Sequence, residues 1–192
     1  LFPVMPAHLY GQASKEDIYS VIAYIRTLPS HESSVPPPNP KFPFSLIMNL
    51  IPKETENGTI PPKENIVEYG KYMITLAACI DCHTPMEKGQ FNMELAYAGN
   101  QEFKLPTGVV RSSNLTPDLS TGIGGWSEEV FLNRFKMYSD SAYVVPTVSE
   151  GFNTIMPWTV YTKMDEYDLK AIYAYLKSLD PISNQVEKFT PN

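Results

Sequence analysis

The stretch Cys79-Ile80-Asp81-Cys82-His83 decides how this chain folds, and it contains both cysteines and one of the three histidines. Two intervening residues set the two sulfurs about one helical turn apart, so both thiols can add to the vinyl groups of one porphyrin. The histidine that follows can reach the iron of the same porphyrin as its fifth ligand. The spacing therefore indicates one covalently bound haem c, held by Cys79, Cys82 and His83.

Three other kinds of site use some of the same residues. A thioredoxin-like redox pair requires a βαβ pattern around the cysteines, and none is visible in the sequence. A structural zinc site requires four protein ligands, whereas His8 and His31 lie far from the motif in sequence. A plain disulfide between the two cysteines stays open, although it leaves the adjacent histidine unexplained.

Composition and charge restrict the class of protein further. With 192 residues, 43% apolar and 19% charged, the chain has the composition of one or two globular domains. Its formal charge of −6 argues against nucleic-acid binding and suits docking to basic partners. No run of about 18 apolar residues occurs, so no transmembrane segment is predicted. The chain begins Leu-Phe-Pro rather than with Met, so we expect a processed or cut N-terminus.

Apolar residues at helical spacing predict four helices, which begin after residues of N-cap type. The first predicted helix covers residues 15–27 and follows Ser14, and the second begins at residue 66, after Asn65, and continues into Cys79. The third covers residues 128–137 after Ser127, and the fourth covers residues 166–178 after Asp165. Gly70 inside the second of these costs about 1 kcal/mol against alanine, so we expect close approach of the last helix near Tyr175. Residues 84–125 lack periodicity and are predicted to be loops that wrap the cofactor.

Residues 5–28 and 156–179 form an internal repeat, related without gaps by a shift of 151 positions. Met5-Pro6 matches Met156-Pro157, and the apolar stripe of the following helix repeats as well. The first copy has no C-x-x-C-H ahead of it, so only the second half of the repeated unit is present twice.

An electron carrier with low-spin iron needs a sixth ligand, and a thioether suits Fe(II). Eight methionines compete for this role, and most are better interpreted as residues that fill gaps in the core. Met156 lies in a predicted loop before the last helix, and it alone is repeated, as Met5. We therefore assign Met156 as the second axial ligand of the iron.

Together these features resemble class I c-type cytochromes. More narrowly, Asn114-Leu-Thr-Pro-Asp118 and Thr121-Gly-Ile-Gly-Gly-Trp126 are similar to a segment of dihaem cytochromes, a group that includes cytochrome subunits of periplasmic alcohol and aldehyde dehydrogenases. The resemblance implies an all-α class I cytochrome c fold with one haem c in residues 65–192. It further implies that residues 32–64 are a Pro-rich linker and that residues 1–31 are the C-terminal remnant of an upstream cytochrome c domain.

The same resemblance implies further cofactor-binding residues. The indole N–H of Trp126 is expected to donate to a haem propionate, and Arg111 to act as a charge partner, the alternatives being a packed core tryptophan and a solvated arginine. Pro157 is expected to fix the ligand loop rather than to touch the iron. Tyr161 is expected to line the haem edge or to pack against the following helix.

The leading functional hypothesis is one-electron transfer between partner redox proteins, which makes the chain an electron carrier rather than an enzyme. The expected location is the bacterial periplasm. The expected partners are a dehydrogenase or respiratory-complex subunit and an upstream haem domain, and any membrane association is expected to come through these partners. Two alternatives are a haem enzyme, peroxidase-like or thiosulfate-oxidising, and a haem gas sensor with a displaceable Met156. The repeated methionine argues against the first of these.

Overall fold

The computed structural model describes residues 6–37, 39–47, 56–139 and 154–192, so Met5 lies outside the described residues. The chain divides into two compact units, Leu1–Pro61 and Pro62–Asn192. The helices are α1 (Ala7–Tyr10), α2 (Lys15–Thr27), α3 (Phe44–Ile47), α4 (Ile66–Leu76), α5 (Cys79–His83), α6 (Glu128–Lys136), α7 (Trp158–Tyr161) and α8 (Glu166–Ser178). The strands are β1 (Met86–Glu87), β2 (Gln90–Phe91), β3 (Glu102–Leu105), β4 (Gly108–Arg111) and β5 (Phe189–Pro191).

Three of the four predicted N-caps are confirmed. The side chains of Ser14, Ser127 and Asp165 accept hydrogen bonds from the backbone N–H groups two or three residues later, which satisfies donors that have no partner inside the helix. Helix α4 begins directly after Asn65 as predicted, but the predicted side-chain cap is wrong, because the Asn65 side chain makes no capping hydrogen bond. Its backbone lies at φ −88° and ψ 74°, outside the extended region that a capping side chain uses.

The core of the second unit forms where α4 and α8 pack against each other. A Cβ on Gly70 would lie 1.9 Å from the carbonyl oxygen of Ala171 and 3.1 Å from Cβ of Tyr175, so the two backbones are closer than any side chain at this position allows. The predicted approach of the last helix to Gly70 is confirmed. Six buried side chains form the core cluster around this crossing: Ile74, Tyr97, Ile123, Phe131, Ile172 and Leu176.

The internal repeat is confirmed in the secondary structure. Each Met-Pro is followed by a four-residue helix, α1 in the first copy and α7 in the second, and then by a thirteen-residue helix, α2 or α8. The prolines that precede the short helices share one backbone conformation, with φ and ψ of −74° and 65° at Pro6 and of −78° and 62° at Pro157.

The two long helices of the repeat differ in what covers them. Ile172 and Leu176 of α8 are 4% and 1% exposed, whereas the matching residues of α2, Val21 and Ile25, are 54% and 57% exposed. The first unit buries Leu9 and Ala13 instead, beside a backbone hydrogen bond of 3.1 Å from Gly58 N to Ala13 O. The same apolar pattern is thus packed in one copy and open in the other.

Two small antiparallel sheets occupy part of the segment predicted as loop. β1 pairs with β2, and β4 lies between β3 and β5. The loop prediction is wrong at β1 to β4. β1 and β2 have two residues each, which is too few for a pattern, whereas Glu102–Leu105 of β3 does alternate polar and apolar residues. The described fold is mainly helical, but these strands mean that an all-α class is not confirmed. Across the described ranges, every helix falls short of the length and apolarity that a membrane-spanning helix requires.

We expect Gly70→Ala to destabilise the haem-loaded protein by about 1–3 kcal/mol, because the new methyl group overpacks the α4–α8 contact. The gain in helix propensity, about 1 kcal/mol, is smaller than the clash. Denaturant unfolding of the variant measures the loss. Gly125→Ala is the matched control, since a Cβ at Gly125 meets nothing within 4 Å. Equal stability of the two variants would contradict the packing described here.

Candidate haem-attachment site

The motif Cys79–His83 forms the short helix α5, which begins after an unusual backbone turn. α4 ends at Leu76, and Ala78 then adopts φ 55°, in the left-handed region that is rare for residues other than glycine. The chain thereby starts a second helix directly after the first, with both thiols one turn apart on it. Neither cysteine is in a disulfide; Cys79 is partly buried against the core, and Cys82 is exposed.

The environment of both thiols favours their protonated form. Burial, aided by the neighbouring Cys82, raises the pKa of the Cys79 thiol to about 12. Although Cys82 is exposed as a residue, partial desolvation of its sulfur and the negative charge of Asp81 raise its pKa as well. Because the thiolate is the form that ligates metals, these shifts disfavour a zinc site or a reactive redox pair at this motif. The described part of the chain also holds no group of three or more His, Cys, Asp or Glu side chains arranged to hold a metal ion.

The His83 ring is buried and held by one hydrogen bond. Its Nδ1 lies 2.8 Å from the backbone carbonyl oxygen of Ser113. A carbonyl oxygen only accepts, so Nδ1 carries the proton and Nε2 keeps a lone pair. Burial lowers the pKa of His83, and the bond to Ser113 opposes this in part, so the ring is neutral. A neutral imidazole with its second nitrogen anchored is the usual form of a histidine that binds a metal.

The segment that carries Ser113 is held in place by the motif Asn114-Leu-Thr-Pro-Asp118. Asn114 Oδ1 accepts from Thr116 N and Oγ1, both at 2.8 Å, and Asn114 Nδ2 donates to Thr121 Oγ1 at 3.0 Å and to Ile182 O at 2.8 Å. Asp118 Oδ1 accepts from Thr121 N and Oγ1, both at 2.7 Å, and these bonds hold the pKa of Asp118 below its usual value. The motif therefore positions backbone around His83.

The segment that begins at Met156 is tied to the start of α5. Met156 is partly buried, and its carbonyl accepts from Trp158 N at 2.8 Å as Pro157 leads into α7. At the end of α7, the Tyr161 hydroxyl donates to the carbonyl of Ala77 at 2.7 Å, two residues before Cys79. Tyr161 thus connects the predicted ligand loop to the haem motif, which are 73 residues apart along the chain (156 − 83).

Two other predicted cofactor residues have partners within the protein. The Arg111 guanidinium donates to Glu102 Oε1 at 2.9 Å, to Thr190 Oγ1 at 2.8 Å and to Glu187 O at 3.2 Å, all on the sheet of β3, β4 and β5 or the segment that leads into it. Trp126 is 36% exposed, and its carbonyl accepts from the Tyr173 hydroxyl at 2.7 Å. Their assignment to haem propionates stays a prediction, as does the role of Pro157.

Three residues that support His83 were not predicted as functional. Ser113 supplies only its backbone carbonyl, which no residue type signals. Gly99 donates its N–H to the carbonyl of His83 at 2.8 Å, and Thr84 is fully buried, with its hydroxyl accepting from Tyr97 N at 3.2 Å. The dipeptide Gly99-Asn100 is a turn signal, and it is the one local feature that could have pointed to this segment.

Two thiols on one helical turn, beside a buried imidazole whose Nε2 is free to bind, fit a covalently attached haem. With the helical packing around them, they define a c-type cytochrome. The chain belongs to the cytochrome c family: the family model described as "Cytochrome c" matches residues 67–180, more than half of the chain. Membership of this family implies covalently bound haem c.

Relatives of the chain include cytochrome subunits of dehydrogenases. It is 32% identical over 125 residues to the cytochrome c subunit of alcohol dehydrogenase (quinone) from Gluconobacter oxydans (strain 621H), covering 64% of this chain and 23% of that protein. It is 31% identical over 112 residues to the fructose dehydrogenase cytochrome subunit from Gluconobacter japonicus, with coverages of 57% and 20%. The gluconate 2-dehydrogenase cytochrome c subunit from Pantoea cypripedii is 30% identical over 110 residues, with coverages of 57% and 22%.

These comparisons confirm the resemblance to class I c-type cytochromes that the sequence motifs indicate. They support an electron-transfer cytochrome. The chain spans less than a quarter of the length of each of these three relatives.

We expect Tyr161→Phe to destabilise the haem-loaded protein by about 1 kcal/mol, because the partly buried carbonyl of Ala77 loses its donor. Denaturant unfolding checks this. Tyr173→Phe is the control, since it removes a hydrogen bond of the same length, 2.7 Å, that is exposed to water. Water can replace that donor, so the control should lose less. If the two variants are equally stable, the Tyr161 bond does not hold the loop to the motif.

Proposed function

We propose that this chain is a periplasmic one-electron carrier in which His83 and Met156 are the axial ligands of one haem c bound through Cys79 and Cys82. When bound, the haem supplies an iron that cycles between Fe(II) and Fe(III). The observation that carries the proposal is the bond from His83 Nδ1–H to Ser113 O, which leaves Nε2 as the only ring nitrogen able to bind iron. The partners that fit are a dehydrogenase or a respiratory-complex subunit, in line with the names of the relatives.

Each of the chain's own residues has a distinct role in this proposal. Cys79 and Cys82 attach the haem edge, and His83 is held at one orientation so that its ligand strength stays constant through each electron transfer. Met156 supplies a soft ligand that favours Fe(II), and Pro157 sets the entry of α7 that holds it. Trp126 and Arg111 are proposed to stabilise the propionates. Two protein ligands on the iron would leave no position for a substrate, and this arrangement would favour a carrier over a haem enzyme or gas sensor.

Replacement of the proposed methionine ligand tests the assignment. We expect Met156→Ala to abolish the weak long-wavelength absorption band of Met–iron ligation and to lower the reduction potential, because a thioether favours Fe(II). The reduced wild type should bind carbon monoxide slowly or not at all, and the variant should bind it fast.

Met93→Ala is the matched control, since Met93 is 60% exposed, and it should change neither spectrum nor potential. An unchanged Met–iron band in Met156→Ala would show that another residue is the sixth ligand. Fast carbon monoxide binding by the wild type would instead favour a sensor or an enzyme.

We further propose that residues 1–31 belong to another cytochrome c domain. Support comes from α2, whose apolar stripe matches that of α8 but is exposed. Ser20 and Tyr24 of α2 match Ala171 and Tyr175, the two residues that contact Gly70 of α4. The stripe therefore fits a glycine-containing helix that leads into a haem-attachment motif, as α4 does.

Photo-crosslinking in the intact complex tests this covering helix. A benzophenone amino acid in place of Tyr24, which is 66% exposed, should crosslink to a peptide that precedes a C-x-x-C-H sequence. The same probe in place of Glu32, beyond the end of α2, should not. Crosslinks from position 24 only to peptides without such a motif, or none at all, would contradict the proposed domain. Haem content per polypeptide gives an independent count.

A further inference from the structure

The carbonyl that anchors His83 depends on a four-residue segment, Tyr97–Asn100, which lies between the two sides of the site. We call this segment the 97–100 bridge. On one side, Tyr97 N donates to Thr84 Oγ1 at 3.2 Å and Gly99 N donates to His83 O at 2.8 Å. The bridge therefore bonds to the histidine itself and to the residue that follows it.

On its other side, the bridge bonds to the segment that carries Ser113. Asn100 N donates to Ser112 O at 2.9 Å, and Leu115 N donates to Tyr97 O at 2.8 Å. Ser113 lies between these two attachments. The distance from its carbonyl to the His83 ring is thus set through the bridge, although no atom of the bridge lies between the ring and that carbonyl.

Gly99 packs directly against the backbone of the Ser113 segment. Its φ is +78°, and a Cβ there would lie 2.5 Å from the carbonyl carbon of Ser113, 2.6 Å from Ser112 O and 2.7 Å from Asn114 N. All three are backbone atoms, so no side-chain rotation can make room. Only a residue without a Cβ lets Ser113 approach His83 while Gly99 N–H stays bonded to the histidine carbonyl.

We infer that Gly99 is a positioning residue for the haem-binding histidine, which sets the length of the His83 Nδ1–Ser113 O hydrogen bond and through it the electron-donating strength of the imidazole. The inference rests on the proposed ligation by His83. A methyl group at Gly99 needs the Ser112–Asn114 backbone to move by roughly 1 Å, since ordinary Cβ contacts begin at 3.4 Å. A bond of 2.8 Å lengthened by that amount is no longer a hydrogen bond.

We expect Gly99→Ala to raise the reduction potential of the haem-loaded protein. An imidazole that loses its Nδ1–H acceptor is a weaker donor and stabilises Fe(III) less than before. The expected size is roughly a tenfold change in the Fe(III)/Fe(II) ratio, or ~59 mV for a one-electron couple. Spectroelectrochemical titration measures the potential. Proton NMR gives a second readout, since the His83 Nδ1 proton should exchange with solvent faster in the variant.

The matched control is Gly58→Ala, which also introduces a clash with backbone, at 2.0 Å from Gln12 O, but in the first unit. It should lose stability and keep both the wild-type potential and the slow Nδ1 exchange. If Gly58→Ala raises the potential as much as Gly99→Ala does, the shift reports general loosening and the positioning role is overturned. An unchanged potential with an unchanged Nδ1 proton in haem-loaded Gly99→Ala overturns it as well.

A milder variant keeps the test decisive if Gly99→Ala does not retain haem. Thr84→Val preserves side-chain volume and removes the hydroxyl that accepts from Tyr97 N, so it loosens the same bridge from the other side. A smaller rise in potential is expected, and no rise would overturn the inference. The proposed function is judged separately by the Met–iron band of the wild type, which none of these outcomes affects.

Discussion

The hydrogen bond from His83 Nδ1 to the carbonyl of Ser113 is the interaction on which the site depends. It places a buried ring in one orientation and one tautomer, and only the tautomer with Nδ1 protonated leaves Nε2 able to bind iron. Both partners need rigid surroundings, because a carbonyl on a free loop would not stay at bonding distance from a ring 30 residues away in sequence. Much of the second unit supplies that rigidity.

Two parts of the structure hold His83 and Ser113 together. The α4–α8 contact at Gly70 fixes the helix that leads into α5, and Tyr161 joins the end of α7 to the same point through Ala77. On the other side, Asn114 and its partners tie the Ser113 segment to the chain near Ile182. The motif Asn114-Leu-Thr-Pro-Asp118 thus acts through polar bonds to backbone rather than through direct chemistry. A helical frame carries the histidine, and a polar loop network carries its acceptor.

Local patterns were reliable where the physical cause is also local. The helices after Ser14, Ser127 and Asp165, the repeat and the close approach at Gly70 all follow from periodicity, capping or a missing side chain, and each is confirmed. The short strands were missed because they have only two to four residues each, and the missing side-chain cap at Asn65 has no signal in the sequence. Partners of Arg111 in the sheet, such as Thr190, lie 79 residues away and leave no local pattern.

The sequence by itself determined the kind of cofactor attachment, since the spacing of Cys79, Cys82 and His83 has one principal chemical use. It also determined the helical frame through apolar periodicity and the repeat. Only the tertiary structure decided which carbonyl receives the His83 proton and which glycine permits the contact. The physical reason is that Ser113 contributes a backbone carbonyl, which every residue possesses, and Gly99 matters because it has no Cβ atom. Neither residue can be recognised as functional until the fold brings the His83 segment, the 97–100 bridge and the Ser113 segment to within bonding distance.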